Sequence, residues 1–202
     1  MSLPDPIRKD INHLVKTDEF FSNASIVMPD FSWRKTPDAF SSLVRIVLAQ
    51  QVSTSAAKTL WTRMNDGLKG KVTAKKIMAM SEDELRSFGL SRQKAGYLHG
   101  LAQAVREGRF DPAELEQLND EDVAAKIMEL KGFGLWSAQM YMIFTLARPD
   151  IWPAQDLIIR HGVGVYLKKK ERPDLAQTIK FGDKFKGRRT AVALLLWNLK
   201  DK

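Results

Sequence analysis

The residues best suited to chemistry lie in LKGFGLWSA, residues 130–138, and in the acid that follows it, Asp156. The segment reads as the end of a helix, a turn containing Gly132 and Gly134, and a new helix that starts at Leu135. Two glycines one residue apart allow left-handed or crowded backbone conformations, and they remove side chains that would keep a large ligand away. The first amides of a helix have no partner within the helix and lie at the positive end of its dipole, so this turn predicts a binding site for a phosphate oxygen.

The overall charge indicates which molecule would carry that phosphate. The chain has 202 residues, 44% of them hydrophobic, with 32 Lys and Arg against 24 Asp and Glu, a formal net charge of +8. This composition is typical of a globular protein, and the positive charge favours a polyanion such as nucleic acid. The chain has no cysteine, which excludes disulfides, thiolate zinc sites and cysteine-ligated iron–sulfur clusters, and its three histidines show no metal-ligand spacing.

The sequence shows neither a membrane span nor a signal peptide. No stretch reaches about 18 uninterrupted apolar residues, and the opening MSLPDPIRKD carries acids and proline where a signal peptide needs an apolar core. We therefore expect a soluble intracellular protein, cytoplasmic and associated with the nucleoid in a bacterium, or nuclear in a eukaryote.

The elements that position these residues are predicted to be helices throughout. Apolar residues recur at intervals of three and four along nearly the whole chain. Helix starts are marked by Thr36–Pro37, by Asp111–Pro112, and by the capping-box pair Ser81 and Glu84. We predict twelve helices, at residues 3–16, 37–49, 53–67, 73–79, 82–88, 92–107, 112–117, 120–130, 135–147, 156–167, 173–181 and 187–200.

A weak internal echo relates residues 85–102 to residues 130–147, with Gly89 laid on Gly134. Both segments are then two helices joined by a glycine turn, and only the second carries the additional Gly132. Two unrelated helical hairpins with similar core needs explain the echo equally well.

The hairpin, the proline-containing loop after it and Asp156 together resemble the helix-hairpin-helix (HhH-GPD) DNA glycosylase superfamily of base-excision repair, and within it the DNA-3-methyladenine glycosylase II branch. Family members carry a hairpin of the type L-P-G-[IV]-G and then an aspartate in the setting P-x-D-x-x-[IV]-x-x-G. This chain has Lys131 in place of the proline, Phe133 in place of Ile or Val, and the acid in PAQDLIIRHG, 20 residues after Trp136. The resemblance runs from about residue 36 to residue 200.

The resemblance implies an all-α fold of two helical subdomains with a DNA-binding cleft between them. Residues 1–36 and 149–202 would form one subdomain from both termini, and residues 37–148 the other, with the helix-hairpin-helix at about 120–147. The implied partner is damaged double-stranded DNA, bound by a monomer without membrane association.

Trp136 indicates the type of reaction. Superfamily members that also cut the DNA backbone carry a lysine at this position, whose amine attacks the sugar and forms a Schiff base. We therefore expect a monofunctional hydrolase, with water as the nucleophile, that removes alkylated purines such as 3-methyladenine. Lys131 is the alternative amine, on the turn side of the hairpin.

Asp156 is the expected catalytic residue. Cleavage of a glycosidic bond passes through an oxocarbenium-like sugar, so a carboxylate beside C1′ can stabilise its charge and orient or deprotonate the attacking water. A second carboxyl group is not required when the leaving base is already cationic. The alternative role of Asp156 is to cap the helix LIIRHGVGVYL, which is a common function of aspartate.

The base pocket is expected to contain aromatic side chains, because an indole face attracts a cation and stacks on any base. The resemblance assigns this pocket to Trp136, Met140, Tyr141 and Phe185. Burial in a helix core is the alternative for the first three. Phe185 matches a family aromatic, although the residues that follow it differ from the family's.

The remaining predicted contacts bind DNA. An enzyme that flips its target nucleotide must fill the hole, and within VLAQQVSTSAAKTL the resemblance places this wedge at Gln51. A polar interhelical turn capped by Ser53 is the alternative. The other expected contacts come from the wedge's neighbours and from the hairpin, namely Gln50, Ser53, Lys131, Gly132, Phe133, Gly134 and Ser137.

The resemblance implies no required cofactor and no iron–sulfur cluster. It does imply a structural monovalent cation, Na⁺ or K⁺, held by the backbone carbonyls of Met128, Leu130 and Phe133. Two basic runs, Lys168 to Lys170 and the region 184–189, are either phosphate contacts or solvated helix faces.

The sequence is consistent with three functions. The leading one is hydrolytic removal of alkylated purines. The second is a glycosylase for another lesion, such as hypoxanthine, ethenoadenine or a mismatched pyrimidine. The third is a non-catalytic protein that keeps the hairpin as a DNA clamp, which would gain support if Asp156 were buried.

Overall fold

A computed structural model describes residues 5–24 and 38–199 of the chain. Within these residues the fold is all-helical, with no strand, as predicted. The α-helices are α1 Asp5–Thr17, α2 Glu19–Asn23, α3 Ala39–Ala49, α4 Thr54–Gly67, α5 Ala74–Met78, α6 Glu82–Ser87, α7 Arg92–Arg106, α8 Asp120–Met128, α9 Leu135–Phe144, α10 Leu157–Tyr166, α11 Leu175–Asp183 and α12 Arg189–Trp197. None of these helices is long and apolar enough to cross a membrane.

Most of the predicted helices lie within a few residues of their observed bounds, and the differences have local causes. The helix predicted at 112–117 is wrong in type, because Glu114–Gln117 forms a short 3-10 helix and the Asp111 carboxylate accepts from the Ala113 amide instead of starting an α-helix. Asp38 caps α3 by accepting from Ser41 N at 2.7 Å, so the cap predicted at Thr36 is misplaced. Thr36 and Pro37 lie outside the described residues.

Helix α2 is absent from the predicted set. It is only five residues long, and it begins because the Asp18 carboxylate accepts from the amides of Phe20 and Phe21 at 3.0 and 3.1 Å. The capping box of Ser81 and Glu84 at the start of α6 is confirmed in both of its hydrogen bonds.

Short polar side chains start nine of the twelve α-helices, because the first amides of a helix need acceptors that the helix itself does not supply. Each of these caps accepts at least one amide of the following turn, and they are Asp18, Asp38, Ser53, Thr73, Ser81, Ser91, Asn119, Asp156 and Asp174. Helix α9 begins instead behind Gly134, which has no side chain. Helix α12 begins behind Arg188, and its first amide, that of Arg189, donates to the Asp150 carboxylate at 3.2 Å.

The chain forms two compact units. The terminal unit comprises Met1–Ser32 and Ala147–Lys202, and the central unit comprises Trp33–Leu146. The subdomain boundaries predicted at 36/37 and 148/149 stay predictions.

The terminal unit is built around α12. All residues of this helix from 190 to 196 are buried, and it packs against α1 and α10. Its N-terminal end is anchored by a two-point ion pair, in which Arg189 Nε and Nη2 donate to the two oxygens of Asp150 at 2.7 and 2.8 Å. Partial burial would raise the pKa of Asp150, but the hydrogen bonds from Arg189 outweigh it and lower that pKa below its usual value.

The central unit is built around α3. Eight of the eleven residues of this helix are buried, and it packs against α4, α7 and α9. Helices α8 and α9 pack against each other and form the two arms of the predicted helix-hairpin-helix. Helix α7 packs against α5 and α6, so the unit contains a second helical hairpin, α6–α7.

Gly162 provides a test of the packing between α10 and α12. A Cβ atom on this residue would lie 2.9 Å from Leu196 Cβ, which is closer than side chains approach in practice. Alanine normally stabilises an exposed helix position by about 1 kcal/mol relative to glycine, whereas overpacking costs about 1–3 kcal/mol. We expect Gly162→Ala to lower the free energy of unfolding in urea denaturation.

Gly96 in α7 is the matched control, because its Cβ would meet nothing within 4 Å. Gly96→Ala is expected to raise the free energy of unfolding by up to about 1 kcal/mol. Equal stabilisation by both substitutions would contradict the tight α10–α12 contact.

Candidate active site

The turn between α8 and α9 is tight because of Gly132. This residue has φ +90°, a backbone conformation that side chains disfavour. A Cβ atom here would also lie 2.3 Å from the ring of Tyr97 on α7. The Phe133 amide donates to the Leu130 carbonyl at 3.0 Å and closes the turn, and the Phe133 side chain is buried. Gly132 is therefore required by the fold of the central unit itself.

Gly134 plays a different role. Its backbone is extended, with φ −106° and ψ −175°, which any residue can adopt. A Cβ atom would meet nothing within 4 Å, and the residue is exposed. Nothing in the described part of the chain requires glycine here, so the missing side chain leaves the start of α9 open to a ligand from outside. Lys131, also exposed, lies on the same turn.

The α6–α7 hairpin differs from the α8–α9 hairpin in how its second helix is capped. Gly89 has φ +97° and occupies the position of Gly132, not that of Gly134, so the register of the predicted sequence echo is wrong by two residues. The residue before α7 is Ser91, whose hydroxyl accepts from Lys94 N at 3.2 Å. The first hairpin thus caps its own second helix, whereas the second hairpin has only Gly134 at the equivalent position.

Gln50 ties the α3–α4 loop to this hairpin. Its Nε2 donates to the Gly132 carbonyl at 2.8 Å and to Ser137 Oγ at 3.1 Å. Ser137 is buried, so its side chain serves this internal contact. On the other side, Lys94 Nζ donates to the Leu48 carbonyl at 2.8 Å, and burial lowers the pKa of this lysine. The loop that follows α3 is therefore held from two sides.

Gln51, the predicted wedge, lies in that loop with φ +56° and is exposed. A left-handed conformation costs a residue other than glycine about 1 kcal/mol or more, and it persists only where the surrounding structure enforces it. Ser53 does cap α4, as the alternative interpretation held, by accepting from Ala56 N at 3.2 Å. The cap explains Ser53 but leaves the strain at Gln51 unexplained, and the wedge stays a prediction.

The three α9 residues assigned to the base pocket differ in exposure. Trp136 is half-buried on the first turn, whereas Met140 and Tyr141 are buried. Burial, together with the charges of Glu116 and Asp38, raises the pKa of Tyr141 to about 12, so its hydroxyl stays protonated. In this structure Met140 and Tyr141 form part of the core.

Asp156 is the N-cap of α10, as its alternative role predicted. Its Oδ1 accepts from the amides of Ile158 and Ile159 at 2.9 and 3.1 Å. The residue is half-exposed, so capping and contact with a ligand are compatible. The same Oδ1 also accepts from the indole Nε1 of Trp197 on α12 at 3.2 Å.

Trp197 is a site residue that sequence reasoning missed. It ends the apolar run ALLLW, which reads as a core helix, and it lies 41 residues after Asp156. No local spacing connects the two residues, so only the packing of α10 on α12 could reveal the contact.

Phe185 belongs to an aromatic cluster in the terminal unit. Its ring centroid lies 5.2 Å from that of Phe181, 6.2 Å from that of Tyr166 and 6.4 Å from that of Phe21. Its role as a pocket wall stays a prediction. In the nearby basic run, Arg189 is paired with Asp150, whereas Lys184 and Lys186 are exposed, and their contact with phosphate stays a prediction.

No cluster of three or more His, Cys, Asp or Glu side chains that could hold a metal ion occurs in the part of the chain that the structure describes. The predicted cation site uses backbone carbonyls. The Leu130 carbonyl accepts from the Phe133 amide at 3.0 Å, and the cation site stays a prediction.

Comparison with known proteins identifies the family. The model of the HhH-GPD superfamily of base excision DNA repair proteins matches residues 44–184, which include both hairpins, α9 and Asp156. The chain belongs to this superfamily. The predicted resemblance is thereby confirmed.

Relatives within the HhH-GPD superfamily share both sequence and fold. DNA-3-methyladenine glycosylase 1 of Schizosaccharomyces pombe is 30% identical over 163 residues, which cover 79% of this chain and 72% of the relative. The solved structure of the S. pombe 3-methyladenine DNA glycosylase Mag1, in complex with abasic DNA, matches with a TM-score of 0.84 and 28% identity, over 94% of this chain and 95% of that one. A DNA-3-methyladenine glycosidase from Bacillus halodurans matches with a TM-score of 0.71 and 28% identity, over 98% and 90% of the two chains.

The two hairpin glycines give a paired prediction. Gly134→Ala is expected to change the free energy of unfolding by less than about 0.5 kcal/mol, since the added methyl group meets no protein atom. It is expected to weaken DNA binding at least about tenfold, because the methyl group occupies the approach of a phosphate to α9. Urea denaturation and fluorescence anisotropy with duplex DNA measure the two quantities.

Gly132→Ala is the matched variant with the opposite expectation. The φ of +90° and the contact with Tyr97 predict a loss of about 2 kcal/mol or more in unfolding free energy. If Gly134→Ala bound DNA like the wild type, the start of α9 would not be the phosphate site.

Proposed function

We propose that this protein is a DNA glycosylase of base-excision repair that flips an alkylated purine out of the duplex and hydrolyses its N-glycosidic bond, with Asp156 as the catalytic residue. The observation that carries the proposal is the half-exposed Asp156 carboxylate, held by two backbone amides at the start of α10 in a member of the HhH-GPD superfamily. Relatives that bear the name DNA-3-methyladenine glycosylase support an alkylated base as the substrate.

The geometry of Asp156 suits stabilisation of a positive sugar. The backbone amides that hold the carboxylate are neutral donors, so these hydrogen bonds orient it without cancelling its negative charge, which can stabilise the oxocarbenium ion that forms as the bond breaks. An N3- or N7-alkylated purine leaves as a neutral base because it already carries a positive charge. The reaction therefore needs one carboxylate and a water molecule, and no general acid.

Trp136 supports a hydrolytic reaction and a cationic base. Its indole offers a face for stacking, and it has no amine that could attack the sugar. Its half-buried position on the first turn of α9, next to the open residue Gly134, suits contact with the flipped nucleotide. We infer a monofunctional enzyme that leaves an abasic site in an intact strand.

The central unit supplies the DNA contacts in this proposal. A phosphate binds at the open start of α9, and the exposed Gln51 fills the space that the flipped nucleotide vacates. Mag1, with the highest TM-score of the structures compared above, was solved with abasic DNA, which supports duplex DNA as the partner. A monovalent cation on the carbonyls of Met128, Leu130 and Phe133 would add positive charge close to the same phosphate.

A buried Asp156 would have supported the non-catalytic alternative, whereas the residue is partly exposed. A different lesion within the same reaction remains open to test. Competition among alkylated purines, hypoxanthine and ethenoadenine under single-turnover conditions decides between these substrates.

Asp156→Asn tests the catalytic role, because asparagine caps helices as well as aspartate does. The cap bonds to α10 should remain while the charge is lost. We expect the release of 3-methyladenine from methylated DNA to fall at least about a hundredfold in single-turnover assays. The affinity for duplex DNA should stay within about threefold of the wild type.

Asp174→Asn is the matched control, since Asp174 is an exposed N-cap of α11 in the same unit. It removes the same charge from the same kind of site and should leave base release unchanged. Wild-type release by Asp156→Asn would exclude Asp156 as the catalytic residue, and a parallel loss in both variants would indicate a general charge effect.

The absence of a lyase step is tested by borohydride trapping. A Schiff base between protein and DNA is reduced to a stable covalent adduct, which migrates separately on a denaturing gel. We expect release of the base with no trapped adduct and no strand cleavage. A trapped adduct that disappears in Lys131→Ala would instead identify Lys131 as the nucleophile.

A further inference from the structure

Three N–H groups from two helices converge on a single oxygen of Asp156. Two are the backbone amides of Ile158 and Ile159, which belong to the helix that Asp156 caps. The third is the indole N–H of Trp197 at 3.2 Å, at the last residue of α12. Oδ2 accepts none of these three hydrogen bonds.

We propose that Trp197 is a positioning residue for Asp156, which holds the carboxylate through its indole N–H in the orientation that the glycosidic reaction needs. Two of these donors are amides of the helix that Asp156 caps. The indole donates from a separate helix and so fixes the rotation of the carboxylate about its Cβ–Cγ bond. The proposal rests on the proposed function of Asp156.

The chemistry of indole suits this task. Its N–H only donates, so it can neither remove a proton from the carboxyl group nor accept one from water. It is also neutral, whereas an arginine or lysine at this place would pair with Asp156 and reduce the charge that the sugar cation needs. Trp197 therefore orients the carboxylate without weakening its electrostatic effect.

The fold holds Trp197 in place at both ends of α12. At the start of the helix, Asp150 binds Arg189 through both guanidinium contacts and the backbone amide. Near its end, Leu196 packs on Gly162 of α10, the helix that Asp156 caps. A larger residue at 162 would push α12 away from α10, so this glycine permits the approach of the indole to the carboxylate.

A donor from a different helix is not needed for capping, although Asp18, which caps α2, also accepts one, from the Tyr166 hydroxyl of α10 at 2.7 Å. In the same unit, Asp174 accepts from the amide of Gln177, a residue of its own helix. Capping alone thus requires only local amides, so the indole contact at Asp156 is additional to the cap. Because this contact lies at the proposed catalytic group, it can orient the carboxylate that faces the sugar.

The test replaces the Trp197 indole by its benzothiophene isostere, in which sulfur takes the place of the N–H group. Ring size and packing are kept, and only the donor is lost. We expect the single-turnover rate of 3-methyladenine release to fall roughly tenfold or more, in line with the loss of one hydrogen bond to a charged group. The affinity for DNA with an abasic-site analogue and the melting temperature should stay close to the wild type.

The control makes the same replacement at Trp152, whose Nε1 donates to the Thr178 carbonyl at 2.9 Å within the same unit. This variant should melt at a lower temperature, because a buried carbonyl loses its donor, while the rate of base release is unchanged. Trp197→Phe, made by ordinary mutagenesis, should reproduce the rate loss of the isostere.

The outcomes separate this proposal from the proposed function. A wild-type rate in the Trp197 isostere would overturn the positioning role and leave the glycosylase proposal intact. An equal loss of DNA affinity and rate would also overturn it, because it would assign Trp197 to binding. If the wild-type protein released no base from methylated DNA, the proposed function would fail and this proposal with it.

Discussion

The first amides of every helix need hydrogen-bond acceptors. This requirement determines both where the helices begin and which groups are available at the candidate active site. Nine α-helices satisfy it with a short polar side chain that precedes them in the sequence. Helix α12 uses the carboxylate of Asp150, which is distant in sequence. Helix α9 begins behind Gly134 without a capping side chain, so an acceptor for its start has to come from outside the helix. Helix α10 is capped by Asp156, so the proposed catalytic group is itself part of a helix start.

The same requirement explains why two similar hairpins differ in whether the helix that follows is capped by a side chain. Gly89 and Gly132 both make their turns with positive φ, and both are followed by a buried apolar residue. The difference lies two residues further on, where Ser91 caps its own helix and Gly134 does not. The presence or absence of one capping side chain thus decides whether the first amides of the second helix are bound within the hairpin, as at Ser91, or left for another acceptor, as at Gly134. In the proposed function that acceptor is a phosphate.

Hydrogen bonds link the predicted DNA-binding elements of the central unit. Gln50 joins the loop that carries Gln51 to the turn that carries Gly132, and Lys94 holds the end of α3 from α7. The loop of the predicted wedge is therefore connected to the hairpin before α9 and to α7. Such connections suit the proposed function, in which the protein holds a distorted duplex while a single nucleotide is turned outward. The interaction of Gln50 with the hairpin also assigns its amide nitrogen to the protein interior, although the sequence suggested DNA as its partner.

By itself, the sequence determined the features that depend on residues close to one another along the chain. Helical periodicity, polar caps such as Ser81, the glycine hairpin, the residue type at Trp136 and the separation of Asp156 from it are all local patterns, and they were sufficient to predict the fold class and the superfamily. Tertiary structure decided whatever depends on residues far apart in sequence. It showed that Gly132 is required by Tyr97 while Gly134 is required by nothing among the residues that the structure describes, that Gln50 reaches the hairpin 82 residues away, and that Trp197 reaches Asp156. These contacts leave no spacing signal, because a hydrogen bond between two helices depends on how the helices pack and not on the order of their residues.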